Sequence, residues 1–102
     1  HIHSVQTEEI ALFYAEGRTV FLITKTNKKF ILEYRLQDLE DLLNPKTFFR
    51  ANRSFILNIS AIQDVLVYSN SRFKVSPSIT IDKEIIVSRE KVSAFKEWLA
   101  GG

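Results

Sequence analysis

Cysteine and methionine are both absent from the 102 residues, and histidine occurs only at His1 and His3. Without cysteine there is no disulfide scaffold, thiolate metal site, iron–sulfur cluster or cysteine nucleophile. With both histidines at the extreme N-terminus, histidine catalysis and a zinc centre lose their ordinary ligands, and no metal or cofactor is expected. Three glycines and two prolines form no linker, so residues 1–102 read as one domain. Apolar runs such as Phe55-Ile56-Leu57 fall far short of the ~20 residues of a membrane span, and no basic-then-apolar leader reads as a signal peptide. The missing methionine points to a domain taken from a longer protein. Residues 1–7 and 101–102 are expected to be frayed or foreign to the domain.

Catalytic signatures are missing as well: no GxGxxG, GxxxxGK[ST], HExxH or GxSxG occurs. The carboxylate pairs Glu8-Glu9 and Asp38/Asp41 lie near a terminus and on a polar helix face, where solvation explains them. Ser54, Ser69 and Ser71 have no histidine to activate them. The chain does not read as an enzyme.

What remains is an ordinary globular composition, 45% hydrophobic and 25% charged, with an uneven charge layout. The total of +2 hides two positive blocks. Arg18, Lys25, Lys28, Lys29 and Arg35 against Glu33 give residues 17–35 a net +4. Lys46, Arg50, Arg53, Arg72 and Lys74 against Asp64 do the same for residues 42–81. Asp38, Glu40 and Asp41 lie between them. Two basic blocks suit a phosphate-binding surface, although charge also simply solvates surfaces.

Strands are predicted at residues 10–15 (IALFYA), 20–24 (VFLIT) and 30–34 (FILEY), an antiparallel meander broken at Gly17 and Asn27. The period then changes. Leu36, Leu39, Leu42 and Leu43 share one helix face, and Asn44-Pro45 ends it. Residues 62–68 and 72–76 alternate as strands around Asn70-Ser71. Thr80-Ile81 and residues 85–87 flank Asp82-Lys83 in a pattern that predicts a hairpin. Ser88 is placed at the head of a final helix with Val92, Phe95, Trp98 and Leu99 on its apolar face. The order, β-β-β-α-β-β-β-β-α, predicts a mainly β antiparallel domain with two or three short marginal helices and disfavours a doubly wound parallel sheet.

Residues 48–58, FFRANRSFILN, carry the most information. Aromatic and aliphatic flanks anchor both sides of a polar middle, which must emerge as a loop because burying two unpaired arginines is costly. Arginine can fork onto guanine O6 and N7, and asparagine onto adenine N6 and N7. Arg53 and Asn52 are therefore candidate base contacts and Ser54 a phosphate contact. Arg50 either meets phosphate or pairs with a helix carboxylate such as Asp41. Whether Ser54 starts a helical turn or precedes a strand is open. Ser88 is a candidate anion contact at a helix start, and Arg89 projects from the same junction. Arg18-Thr19 follows Gly17 at a turn tip, and Arg72 and Lys74 share one strand face.

Taken together these features resemble the LytTR family of DNA-binding domains, mostly output domains of bacterial response regulators. The resemblance runs from the first strands through LQDLEDLL and FFRANRSFILN, similar to the family's F-[IV]-R-x-H-[RK]-S-[YF]-[IV]-V-N, to Ile62-x-x-Val65 and Val87-Ser88-Arg89. Asn52 stands where His is common and Ala51 where Val or Ile is common. The resemblance implies an elongated antiparallel β-fold of about ten short strands in a cytoplasmic transcription regulator. It implies binding of double-stranded DNA at direct repeats by paired domains, with loops in the grooves and DNA bending. On that reading Arg53, Asn52, Arg89, Arg18 and Thr19 reach bases. Arg50, Ser54, Ser88, Arg72, Lys74, Lys25 and Lys28 supply phosphate contacts. Dimerisation on DNA, or through a preceding receiver domain, follows from the same resemblance. Two alternatives stay open: a β-rich protein- or ligand-interaction module with salt-insensitive DNA affinity, and a single-strand binder needing exposed aromatics such as Tyr14 and Tyr68.

Overall fold

Six successive apolar or aromatic residues, IALFYA, suit a strand covered on both faces, and that is where the chain puts them. The computed structural model describes residues 5–69 and 71–101 and measures 46 × 27 × 23 Å. Strand β1 (Ile10–Glu16) lies at the centre of a five-stranded antiparallel sheet with β2 (Thr19–Thr24), β3 (Lys29–Leu32), β4 (Phe48–Arg50) and β5 (Phe55–Asn58), ordered β3-β2-β1-β5-β4. A second antiparallel sheet joins β6 (Ile62–Val67), β7 (Phe73–Pro77) and β8 (Ile85–Ile86) in that order. Helix α1 (Leu36–Leu42) and helix α2 (Val92–Leu99) complete the mainly β architecture, with short 3-10 turns at Thr7–Glu9, Ile59–Ala61 and Arg89–Lys91. Eight strands are present among the described residues, where the resemblance implied about ten.

The central sheet separates two apolar clusters. On one face α1 contributes Leu36 and Leu39 against Ile10, Phe13, Leu22, Phe48 and Ile56. On the other, the second sheet and α2 bring Val75, Ile85, Phe95 and Trp98 against Leu12, Tyr14, Phe55 and Leu57. Strict alternation along β1 would send Ala11 and Leu12 to opposite faces. A register shift between Ile10 and Leu12 lets both face the second sheet, while Ile10 and Phe13 face α1. Buried Asn58 closes this irregularity: its Nδ2 donates to the Ile10 carbonyl at 2.7 Å, and its Oδ1 accepts from the Ser60 N–H at 2.9 Å.

Three expectations are corrected. Thr80-Ile81 does not form a hairpin strand. The Thr80 N–H donates to Asn27 Oδ1 at 2.8 Å and its carbonyl accepts from Asn27 Nδ2 at 3.1 Å. Its backbone groups are thus held by the β2–β3 turn, and β8 pairs with β7 instead. Leu42 is 67% exposed because α1 ends there and the chain turns extended at Leu43, which packs inward in its place. Leu99 is 37% exposed at the end of α2, where Gly101 closes the helix with positive φ and an N–H to the Trp98 carbonyl. Ser54 does not open a helical turn; β5 begins at the next residue. Within the stretch expected to fray, Val5 packs against the α1-side cluster and Thr7 begins a 3-10 turn, while residues 1–4 and 102 lie outside the described residues, as does Asn70.

Tyr14 is buried between Phe21 and Phe55, with ring centroids 4.9 and 5.9 Å away. It is therefore a core residue, and of the two tyrosines only Tyr68 is exposed, immediately after β6. Lys29 lies over the Phe21 ring at 4.3 Å. Hydrogen bonding to Tyr14 holds its pKa above the ordinary lysine value. This stabilisation is complete below the ordinary lysine pKa and is lost only as pH rises through the raised one.

Candidate nucleic-acid interface

The antiparallel order puts the β1–β2 turn and the β4–β5 loop at the same end of the central sheet. Gly17, at φ 63°, supplies the left-handed residue of the turn and leaves Arg18 at its tip. The loop, residues 51–54, is joined to β1 by the Ala15 N–H, which donates to the Ser54 carbonyl at 2.9 Å. The segment after β8 is joined to the same loop: the Ser88 N–H and Oγ donate to the Ala51 carbonyl at 3.0 and 3.3 Å. Ala51 is fully buried at this junction, which explains a small side chain there. Three segments far apart in sequence are thus fastened side by side, and Arg18, Arg53 and Arg89 stand exposed on them. Among the described residues, none of these three side chains has a hydrogen-bond or ion-pair partner.

Other predicted contacts turn inward. Both ends of the Asn52 amide are engaged: Nδ2 donates to the Ile86 carbonyl and Oδ1 accepts from the Ser54 N–H, each at 2.7 Å. A fork onto adenine needs both ends free, so Asn52 braces the loop in this structure. Arg50 does likewise. Its Nε donates to the Asn52 carbonyl at 3.2 Å and Nη2 to the Arg53 carbonyl at 2.9 Å, while Nη1 pairs with Glu40 at 3.3 Å. The helix carboxylate it meets is Glu40, not Asp41. Ser88 does not head α2. A 3-10 turn intervenes and the Ser88 hydroxyl makes no cap, because it is directed to Ala51.

Thr19 opens β2 opposite Glu16, and Ser54 is half-buried with its backbone committed to the loop. Lys25 and Lys28 are exposed at the far end of β2 from Arg18. Arg72 and Lys74 belong to the second sheet's hairpin, where Lys74 pairs with Glu84 at 3.5 Å and Arg72 Nε is buried with no acceptor among the described residues. The structure therefore groups Arg18, Arg53 and Arg89 and leaves Lys25 and Lys28 at the opposite end of β2, while Arg72 precedes Phe73, whose carbonyl accepts from the Val87 N–H at 2.9 Å, and Lys74 is opposite Ile86.

One element was not anticipated. Arg18, Arg50 and Arg53 line an open groove together with Arg35 and Gln37 from the start of α1, over a floor that includes Val20 and Leu36. Arg35 counted only toward a charged block in the sequence.

The family model described as LytTr DNA-binding domain matches residues 1–100, and the chain belongs to that family. The chain is similar to the solved LytTr DNA-binding domain of a response regulator from Bacillus cereus, with a TM-score of 0.80 and 26% identity, covering 93% of this chain and 84% of that one. It is 28% identical over 98 residues to the transcriptional regulatory protein NatR of Bacillus subtilis, covering 95% of this chain and 41% of NatR. It is 26% identical over 87 residues to the transcriptional regulatory protein YpdB of Escherichia coli, covering 84% of this chain and 35% of YpdB. The chain therefore spans less than half the length of NatR and of YpdB. No helix among the described residues is long and apolar enough to cross a membrane.

Proposed function

We propose that this domain reads double-stranded DNA through the arginine tips of its three fastened segments, as the output domain of a transcription regulator. The observation that carries the reading is the grouping of Arg18, Arg53 and Arg89: three exposed guanidinium groups without protein partners, on segments tied by main-chain bonds. A free guanidinium is the side chain best suited to a bidentate guanine contact. Asn52 and Arg50 act through the loop, as positioning residues for Arg53. Arg72, Lys74, Lys25 and Lys28 supply the sequence-independent phosphate attraction, and Thr19 and Ser54 flank the tips. Tandem domains on direct repeats, bent DNA and a cytoplasmic setting complete the reading.

The test is equilibrium binding to a direct-repeat promoter fragment. Arg53→Ala and Arg89→Ala are each expected to weaken binding by about 1–3 kcal/mol, the value of a lost bidentate base contact, and to relax preference at one base step each. Unchanged affinity in both variants overturns the assignment. Affinity that ignores salt returns the domain to the protein-interaction alternative, because phosphate contacts impose a steep salt dependence.

A further inference from the structure

The groove beside the tips has features that the base-reading arginines do not explain. Arg50 forms one wall as a fixed cation, its side chain only 22% exposed and held by Glu40 and two loop carbonyls. Arg35 lines the same groove and is 77% exposed. Its carboxylate partner is Asp38, three residues on, at a long 3.4 Å. An exposed pair of that geometry holds weakly and exchanges readily. Gln37 lies beside it, exposed, with no protein partner among the described residues. Arg18 and Arg53 bring the arginines lining the groove to four, against the two carboxylates Asp38 and Glu40 that pair with Arg35 and Arg50. Apolar Val20 and Leu36 in the floor strengthen the field felt inside.

We infer that this groove seats a backbone phosphate of the bound duplex, gripped by Arg35 and Gln37 beside the bases that Arg18 and Arg53 read. The inference rests on the DNA-reading proposal and adds the start of α1 as a fourth contact segment. The ligand chemistry is a single phosphodiester: a compact anion with several acceptor oxygens, matched by a guanidinium fork and a carboxamide donor. On entry the phosphate replaces Asp38 as the partner of Arg35. Arg50 stays on the loop and contributes its fixed charge.

The experiment is a salt titration of binding with the wild-type domain, Arg35→Ala, Arg35→Lys, Gln37→Ala and Arg53→Ala, on a specific and a scrambled duplex of equal length. Losing one phosphate contact lowers the slope of log K against log salt by about 0.9. Arg35→Ala is expected to show that change, with the same fold-loss on both duplexes and an unaltered melting temperature. Arg35→Lys keeps the slope, and Gln37→Ala weakens both duplexes equally. Arg53→Ala instead reduces the ratio between specific and scrambled duplexes. An unchanged slope in Arg35→Ala, or a loss confined to the specific duplex, overturns the phosphate assignment while leaving the tips in place. A wild-type domain that binds neither duplex overturns the DNA reading and this inference with it.

Discussion

Phe95→Ala is expected to lower the unfolding free energy by about 3–5 kcal/mol, the range for truncating a large aromatic in a packed core. Phe95 is fully buried on α2. Its ring centroid lies 5.6 Å from Phe49 of β4, 6.0 Å from Phe73 of β7 and 5.9 Å from Trp98 of α2. One side chain thus touches the central sheet, the second sheet and its own helix. Removing it opens a cavity where three elements meet, which cannot collapse unless one of them moves. Domains of this size hold about 5–15 kcal/mol in total, so the variant is expected to keep only part of its stability. Its melting temperature is expected to fall by more than about 10 °C. Trp98 still donates its Nε1–H to the Lys46 carbonyl at 3.1 Å, so α2 remains docked in the folded fraction. Urea unfolding measures the effect. A loss below about 1 kcal/mol would show that α2 does not hold the sheets together.

Asn58→Ala is expected to be the next most damaging, by on the order of 2–4 kcal/mol. It orphans the buried Ile10 carbonyl, at about 1–3 kcal/mol for a buried unsatisfied group, and removes the part-buried bond to the Ser60 N–H. Asn58 is 1% exposed, so water cannot readily replace the amide. Asn52, six residues earlier, makes the same pair of bonds at the other end of β5, but half-buried. The two variants are therefore expected to cross over. Asn58→Ala costs more stability and leaves the DNA affinity of the folded fraction intact. Asn52→Ala costs about 1 kcal/mol of stability and loses more affinity than stability, because Arg53 is no longer held. Thermal melting and binding measured on both variants check this; equal affinity loss in the two would contradict it.

These two asparagines also show where the sequence was legible and where it was not. Strands β1 and β2 of the central sheet were readable because burial leaves long apolar runs, as in IALFYA, whereas β4 was not read as a strand and β5 was left open. The exposed arginines were readable because anchored flanks force the loop between them outward. Asn52, Arg50 and Ser88 were read as DNA contacts because the groups that recognise bases and phosphates also satisfy backbone. Their partners decide which role applies. The Ile86 carbonyl lies 34 residues from Asn52, and Glu40 lies 10 residues from Arg50. The hairpin at Asp82-Lys83 failed for the same reason, since Asn27 reaches Thr80 across 53 residues. Arg35 was passed over because nothing local separates a solvated arginine from one lining a groove.

The bonds that fasten the three tips are largely main chain to main chain, Ala15 to Ser54 and Ser88 to Ala51, and the arginine side chains take no part in them. Such bonds are indifferent to what residues 18, 53 and 89 are. On the proposed reading the frame and the lettering are separable: exchanging the three tips is expected to alter which operator is preferred without touching the scaffold that spaces them. A domain built in that way would be a chassis on which new sequence preferences are written at three positions, provided Asn52, Arg50 and Ala51 are left alone.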